Sequence, residues 1–207
     1  MTTTTSQPTI LIFAGSSRAA SFNRKLANAA TRLAQAAGAQ ATLIELADLN
    51  IPLYNADLES RGTPRDVIRL KELMHAHAGW IIASPEYNGS YTALLKNTID
   101  WASSPAKSGA ECSEEVAAQW KSGTKPFAGK VIGLLSASPG MMGGLRSLDR
   151  VAPLLRNLQC WVAPQQFALG KAGDAFDEQG RLKDASAEAK VKAVVDQVIF
   201  AANRLAS

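Results

Sequence analysis

The sequence predicts an α/β protein: a doubly wound, five-stranded parallel sheet in the order 2-1-3-4-5, with helices on both faces. Three observations predict it. Apolar runs of strand length alternate with segments of helical periodicity from one end of the chain to the other. The runs Thr9–Ala14 and Gly79–Ala83 are apolar without a break, as in strands covered on both faces. Two unusual loops, Gly15–Ser21 and Ser84–Ser90, directly follow those two runs. In this strand order the first and third strands are neighbours where the winding reverses, so both loops fall at the crevice where such sheets take ligands.

Each element has its own reason. Thr9-Ile10-Leu11-Ile12-Phe13-Ala14 is the first strand, and Gly15 to Ser21 is a loop of small residues. Phe22 to Ala37 has helical spacing, and Gly38 is a natural stop. Ala41 to Leu46 is the second strand. Ala47 to Arg61 is a loop containing Ile51-Pro52-Leu53-Tyr54-Asn55. Pro64 opens a helix to about Ala78, because a proline in the first turn forfeits no hydrogen bond. Gly79 to Ala83 is the third strand. Leu94, Leu95, Thr98, Ile99 and Ala102 recur at helical spacing over Tyr91 to Ser103. Ser104 to Lys125 is polar and long for a helix-to-strand connection, with a short helix expected over Glu114 to Trp120. Val131 to Leu135 is the fourth strand, ending in Ser136-Ala137-Ser138-Pro139-Gly140. Gly143-Gly144 precedes a helix from Leu145 to Leu158, and Trp161 to Leu169 contains the fifth strand. Lys171 to Lys183 is a polar loop turning at Gln179-Gly180. Asp184 to Leu205 is a closing amphipathic helix.

The organisation expected is a disordered threonine-rich tail over 1–8, one domain over 9–207, and an insertion at about 104–125. A chain of 207 residues is ample for one core. The tail has no apolar stretch of the kind a secretory signal needs. No apolar run approaches the roughly 18 residues of a membrane span. With 46% hydrophobic and 19% charged residues the balance is that of a globular protein. A net charge of +4 favours anionic small molecules. The cations are dispersed rather than striped, which argues against nucleic acid. Cys112 and Cys160 are far apart in sequence, which fits a reducing cytoplasm. His75 and His77, two apart, share no helix face, so no metal site is expected.

The Ser84–Ser90 loop is stiff. Pro85 fixes its own backbone and pushes Ser84 toward extended conformations. Asn88-Gly89 is a turn pair that tolerates positive φ. The spacing fits a ligand loop, and it also fits an ordinary strand–turn–helix connection. The Gly15 loop opens a helix, where unpaired amides and the dipole favour an anion. Ser16, Ser21 and Asn23 add neutral polar groups, and Arg18 adds a planar cation suited to phosphate oxygens. The loop is neither Gly-x-Gly-x-x-Gly nor the lysine-containing nucleotide-triphosphate loop, so it suits one terminal phosphate; a capped helix with a surface arginine is the other reading. No Ser/His/Asp or Cys/His nucleophile set stands out, and Glu86 is a lone carboxylate. A phosphate cradle without a catalytic dyad suggests that a cofactor carries the chemistry.

Gly15-Ser16-x-Arg18-x-x-Ser21-x-Asn23 and Pro85-Glu86-Tyr87-Asn88-Gly89-Ser90, followed by Leu95-Lys96-Asn97-x-Ile99-Asp100-Trp101, resemble the NADPH-dependent FMN reductase family. The Ile51-Pro52-Leu53-Tyr54 and Ser138-Pro139-Gly140-x-x-Gly143-Gly144 loops match as well, and the resemblance extends over Thr9 to Phe200. It implies a flavodoxin-like fold, bound FMN, NADPH or NADH as electron donor, and a homodimer or homotetramer. By position, Ser16, Arg18, Ser21 and Asn23 would hold the FMN phosphate, with Phe22 beside them. Pro85, Glu86, Tyr87, Asn88 and Gly89 would line the isoalloxazine ring, and Ser136, Ser138 and Gly140 would approach from the fourth strand. No residue need act as a nucleophile. The implied activity is ping-pong electron transfer to quinones, chromate, ferric complexes, azo compounds or free flavin. A flavodoxin-like electron carrier docking on protein partners is the alternative, and a binding protein without catalysis a third. The 104–125 insertion departs from the family; Cys112, Val116 and Trp120 give it apolar surface, to rim a partner subunit's site or to remain a solvated insertion.

Overall fold

The computed structural model of the chain describes residues 7–205. Five parallel strands, β1 (Thr9–Ala14), β2 (Gln40–Ile44), β3 (Gly79–Ala83), β4 (Val131–Ala137) and β5 (Trp161–Leu169), stand in the order β2-β1-β3-β4-β5. The sheet is the expected one. Residues of the expected tail up to Ser6 lie outside the described residues; Pro8 is described, and its carbonyl accepts the Gln40 N–H at 2.9 Å.

Strand alternation builds two cores. Ile10, Ile12, Ile81 and Leu135 face helices α1 (Phe22–Ala36) and α7 (Ala185–Leu205), which bring Leu26, Ala30, Val191, Val194 and Val198. Leu11, Phe13, Trp80, Ile82, Ile132 and Leu134 face α3 (Arg65–Ala76), α4 (Ala93–Ser103) and α6 (Leu145–Asn157), which bring Leu70, Met74, Leu95, Ile99, Leu148 and Leu155. Each face buries residues from every strand of the centre, which is why β1, β3 and β4 carry unbroken apolar runs rather than alternating ones.

Element ends differ from the sequence reading at several points, two of them set by a capping side chain. The second strand stops at Ile44, and Leu46–Asp48 forms a single 3-10 turn instead of continuing it. Within the expected loop of 47–61 lies a short helix, α2 (Ala56–Glu59). Asn55 Oδ1 starts it by accepting the N–H groups of Asp57 and Leu58. Helix α4 begins two residues later than its apolar spacing suggested, because the Thr92 hydroxyl caps it by accepting the Leu95 N–H at 3.2 Å. β4 runs on to Ala137, held by pairing with β5 as far as Leu169.

The 104–125 segment is packed into its own chain. It leaves the C-terminal end of α4, where the Lys71 ammonium donates to the carbonyls of Ala102 at 2.8 Å and Ser104 at 2.5 Å. It then doubles back along α3: Lys107 exchanges hydrogen bonds with Thr63, and Glu111 Oε2 accepts the Arg65 N–H at 2.9 Å. The short helix α5 (Glu114–Gln119) returns toward His75, whose ring meets Trp120 edge-on at 5.6 Å. Ala106, Cys112, Ala117 and Trp120 close over Ile68 as a small third core. Trp120 and Cys112, expected to offer apolar surface to a partner, are each 4% exposed and pack around Ile68 within their own chain, with Val116 partly buried against them.

Candidate functional site

Three loops at the carboxyl ends of β1, β3 and β4 enclose a cleft of about 140 Å³ at the point where the strand order reverses. They are tied to one another before any ligand is considered. The Gly15 N–H donates to the Ala83 carbonyl at 2.9 Å, and the Thr92 hydroxyl donates to the Gly15 carbonyl at 2.7 Å. The Ser84 N–H donates to the Leu135 carbonyl at 2.9 Å.

The first loop is a helix entrance. Ser21, 2% exposed, is the N-cap of α1, its hydroxyl accepting the Arg24 N–H at 3.4 Å. Among the described residues, the backbone N–H groups of Ser16 to Ala20 donate to no group of the chain. They stand at a helix N-terminus, where donors and the helix dipole together suit an anion. The Arg18 guanidinium lies 5.6 Å from the centre of the Phe22 ring. Arg24, which the motif reading passed over, braces the loop from outside: it pairs with Glu45 at 2.8 Å and reaches the carbonyls of Arg18 and Ala19 at 3.4 and 3.5 Å. Only its place in the first turn of the helix, three residues past the cap, signalled it.

Asn23 is 2% exposed and bridges two loops. Its Nδ2 donates to the Ala137 carbonyl at 2.8 Å, and its Oδ1 accepts the Ala137 N–H at 2.9 Å. The amide expected to reach a phosphate therefore spends both ends on β4 and has one N–H left.

The third-strand loop turns on a tight hairpin. Tyr87 and Ser90 exchange backbone hydrogen bonds at 2.9 and 3.1 Å around Asn88 (φ 52°) and Gly89 (φ 75°). The positive φ expected at Gly89 is present. Below the hairpin, the buried Ser147 hydroxyl donates to Ser84 Oγ at 3.1 Å. Glu86 reaches the start of α6: Oε1 accepts from Arg146 Nε at 2.7 Å, and Oε2 accepts the Arg146 backbone N–H at 3.1 Å. Both carboxylate oxygens are thus engaged by Arg146, one by its guanidinium and one by its first-turn backbone N–H.

The cleft brings together most of the residues read from sequence. Ser16, Arg18, Ser21, Phe22 and Asn23 line one wall; Pro85, Glu86 and Tyr87 line another; Ser138 lies on the third, between Ala137 and Pro139, of which Pro139 belongs to the matching loop but neither was expected to touch the cofactor. Asn88 and Gly89 sit at the exposed hairpin tip and Gly140 beyond the third wall, outside the cleft lining. Ser136 does not approach it: the residue is fully buried beneath Gly144, facing α6, with a hydroxyl that finds no partner among the described residues. No His, Cys, Asp or Lys lines the cleft, and no group of three or more potential metal ligands occurs among the described residues. A wider depression of about 400 Å³ between Tyr54, Glu59 and Lys107 lies at the far end of α4, away from the strand ends.

Comparison with known proteins gives these features relatives. The family model described as NADPH-dependent FMN reductase matches residues 8–174. The chain is 35% identical over 177 residues to the NAD(P)H-dependent FMN reductase of Pseudomonas aeruginosa, covering 84% of each chain. It is 31% identical to a quinone reductase of Pseudomonas putida, again over 84% of each. Among solved structures it resembles FerB, a flavoenzyme NAD(P)H:(acceptor) oxidoreductase of Paracoccus denitrificans. The TM-score is 0.77 at 24% identity, covering 95% of this chain and 98% of that one.

Proposed function

The chain belongs to the NADPH-dependent FMN reductase family, and we propose that it uses bound FMN to carry electrons from NADPH or NADH to a small-molecule acceptor, with quinones the leading class. The observation that carries the reading is the convergence of three interlocked loops on one cleft at the reversal point of a flavodoxin-like sheet, with free amides on its phosphate side. The residues present fit the cofactor. The unpaired N–H groups of Ser16 to Ala20, the N-terminus of α1 and the Arg18 guanidinium suit a dianionic phosphate. Pro85, Glu86 and Tyr87 would border a flat ring, and the absence of a neighbouring acid–base pair in the lining suits chemistry that the protein does not itself perform.

When bound, FMN supplies two-electron chemistry at its ring. The chain's contribution is positional. Asn23 holds Ala137 against α1, Thr92 holds Gly15 against α4, and Arg146 holds Glu86 against α6, so all three walls are preorganised. Nicotinamide and acceptor would bind in turn, and ping-pong kinetics are the pattern expected of that order. Chromate, ferric complexes, azo compounds and free flavin are further acceptors within the proposal. Homodimer or homotetramer assembly belongs to it too, supported by the exposure of Leu53, Tyr87, Met141 and Met142 on the loops at the strand ends. A cytoplasmic location fits two free, buried cysteines. No helix among the described residues is long and apolar enough to cross a membrane.

The test is steady-state oxidation of NADPH and of NADH by the purified, FMN-loaded chain against a panel of quinones, with no partner protein added. Turnover with parallel double-reciprocal lines is expected. Intersecting lines overturn the ping-pong step, and absence of turnover with every quinone favours an electron carrier.

A further inference from the structure

We infer that Arg146 is a positioning residue of the flavin site, acting through Glu86 to hold the Tyr87–Ser90 hairpin in the shape that receives the ring. This rests on the FMN reading above. Arg146 stands in the first turn of α6, on a different element from the hairpin and 60 residues further along the chain. Its Nε and Nη2 reach Glu86 Oε1 at 2.7 and 2.5 Å, while its own backbone N–H donates to Oε2 at 3.1 Å. Both carboxylate oxygens are therefore engaged by one residue. The Glu86 side chain is 10% exposed and the Arg146 side chain 69%, so the acid is held down and the arginine lies across it. The guanidinium carbon also lies at contact distance, 4.0 Å, from where a side chain on Gly89 would begin. Arg146 thus underlies the hairpin at both Glu86 and Gly89.

The approach is made possible by Gly144, whose φ is 89° and whose missing side chain would collide with Ser136 Oγ and stand 3.5 Å from Glu86 Cβ. Without the clamp, a two-residue turn with both central φ angles positive is left to hold itself, and short hairpins are marginal in water. If the receptive shape is then populated only a fraction of the time, apparent affinity falls by that fraction.

Two measurements test the inference on Arg146→Ala and on Glu86→Gln, which keeps an acceptor for the Arg146 amide. Arg150→Ala, one turn further along α6 and exposed, removes the same charge elsewhere. In the flavin-free chain, amide exchange at Tyr87 and Ser90 should speed up about tenfold in Arg146→Ala, less in Glu86→Gln, and not in Arg150→Ala. The dissociation constant for FMN should rise about tenfold, in the same order. Unchanged affinity in both clamp variants overturns the inference. So does an equal loss in Arg150→Ala, which would mark a general charge effect on a dianion, or a loss of affinity with unaltered hairpin exchange, which would mark direct contact with the ligand. If the unaltered chain binds no FMN, the functional reading itself fails and this inference falls with it.

Discussion

Arg18 and Asn23 lie five positions apart, one in the loop and one in the first turn of α1, and the structure gives them different work. Arg18 is exposed, and its guanidinium stands 5.6 Å from the centre of the Phe22 ring and makes no hydrogen bond or ion pair among the described residues, so it can meet an incoming anion. Arg18→Glu should therefore leave unfolding unchanged to within about 0.5 kcal/mol. It should weaken FMN binding by several kcal/mol through repulsion, measured by fluorescence titration. Asn23→Ala should do the reverse in proportion. It orphans a buried N–H and a buried carbonyl on Ala137 and should cost about 2–4 kcal/mol in urea unfolding, with FMN affinity falling as the β4 wall loosens. Gly89, at φ 75°, is a position where a β-branched side chain is strained. Gly89→Val should cost about 1–3 kcal/mol and damage FMN binding. Normal affinity in that variant would reduce Gly89 to a small loop residue. The two cysteines are a contrast: burial raises both thiols, Cys160 to about 12, and neither lines the cleft.

At the scale of elements, the 104–125 segment carries the clearest expectation. Its third core covers Ile68 with Ala106, Cys112, Ala117 and Trp120. Trp120→Ala should cost about 3–5 kcal/mol, because an indole 4% exposed leaves a cavity its neighbours cannot fill. FMN content should be unchanged, since no residue of the segment lines the cleft. Loss of flavin together with stability would show that α3 transmits to the site. The same segment shows how a sequence reading goes astray. Its length and polarity were legible, and its short helix was found. Its three apolar residues pointed outward only because nothing in the sequence says that Thr63 and Arg65, more than 40 positions earlier, hold its tip against α3. The helix at Ala56–Glu59 was missed for a related reason: four residues carry no periodicity, and only the Asn55 cap announces it.

For the whole molecule, the pH dependence of stability has opposed sources, of which the Lys71 ammonium and the Cys160 thiol are the most strongly shifted. Burial lowers the Lys71 ammonium from 10.5 to about 8, with the nearby Glu59 charge pulling it back up. Between about 8 and 10.5 the unfolded chain holds a proton that the folded chain has released, so this group makes stability rise with pH, by up to about 3 kcal/mol. Burial raises the Cys160 thiol from 9.0 to about 12, so there the folded chain holds the proton that the unfolded chain has lost, and stability falls across that window. The expected result is a rise from pH 8 that flattens above 9. In Lys71→Met the rise should shrink, leaving the smaller contribution of Lys130, whose ammonium burial also lowers, as followed by urea midpoints at each pH. A rise of equal size in the variant would assign it to other groups.

The sequence by itself determined the strand order, the two-faced core and the three loops that meet at the strand ends, because hydrophobic periodicity and turn chemistry are local and each strand's burial is written in its own residues. It also marked Ser16, Arg18, Ser21 and Glu86 as loop residues of the cleft, from motifs only a few residues long. What each side chain does there was decided by tertiary structure alone. Asn23 meets Ala137 across 114 positions, Glu86 meets Arg146 across 60, and Ser136 turns under Gly144 instead of into the cleft. Those pairings depend on which helix end lands over which strand end. That is set by packing between distant segments, and no local pattern in the chain encodes it.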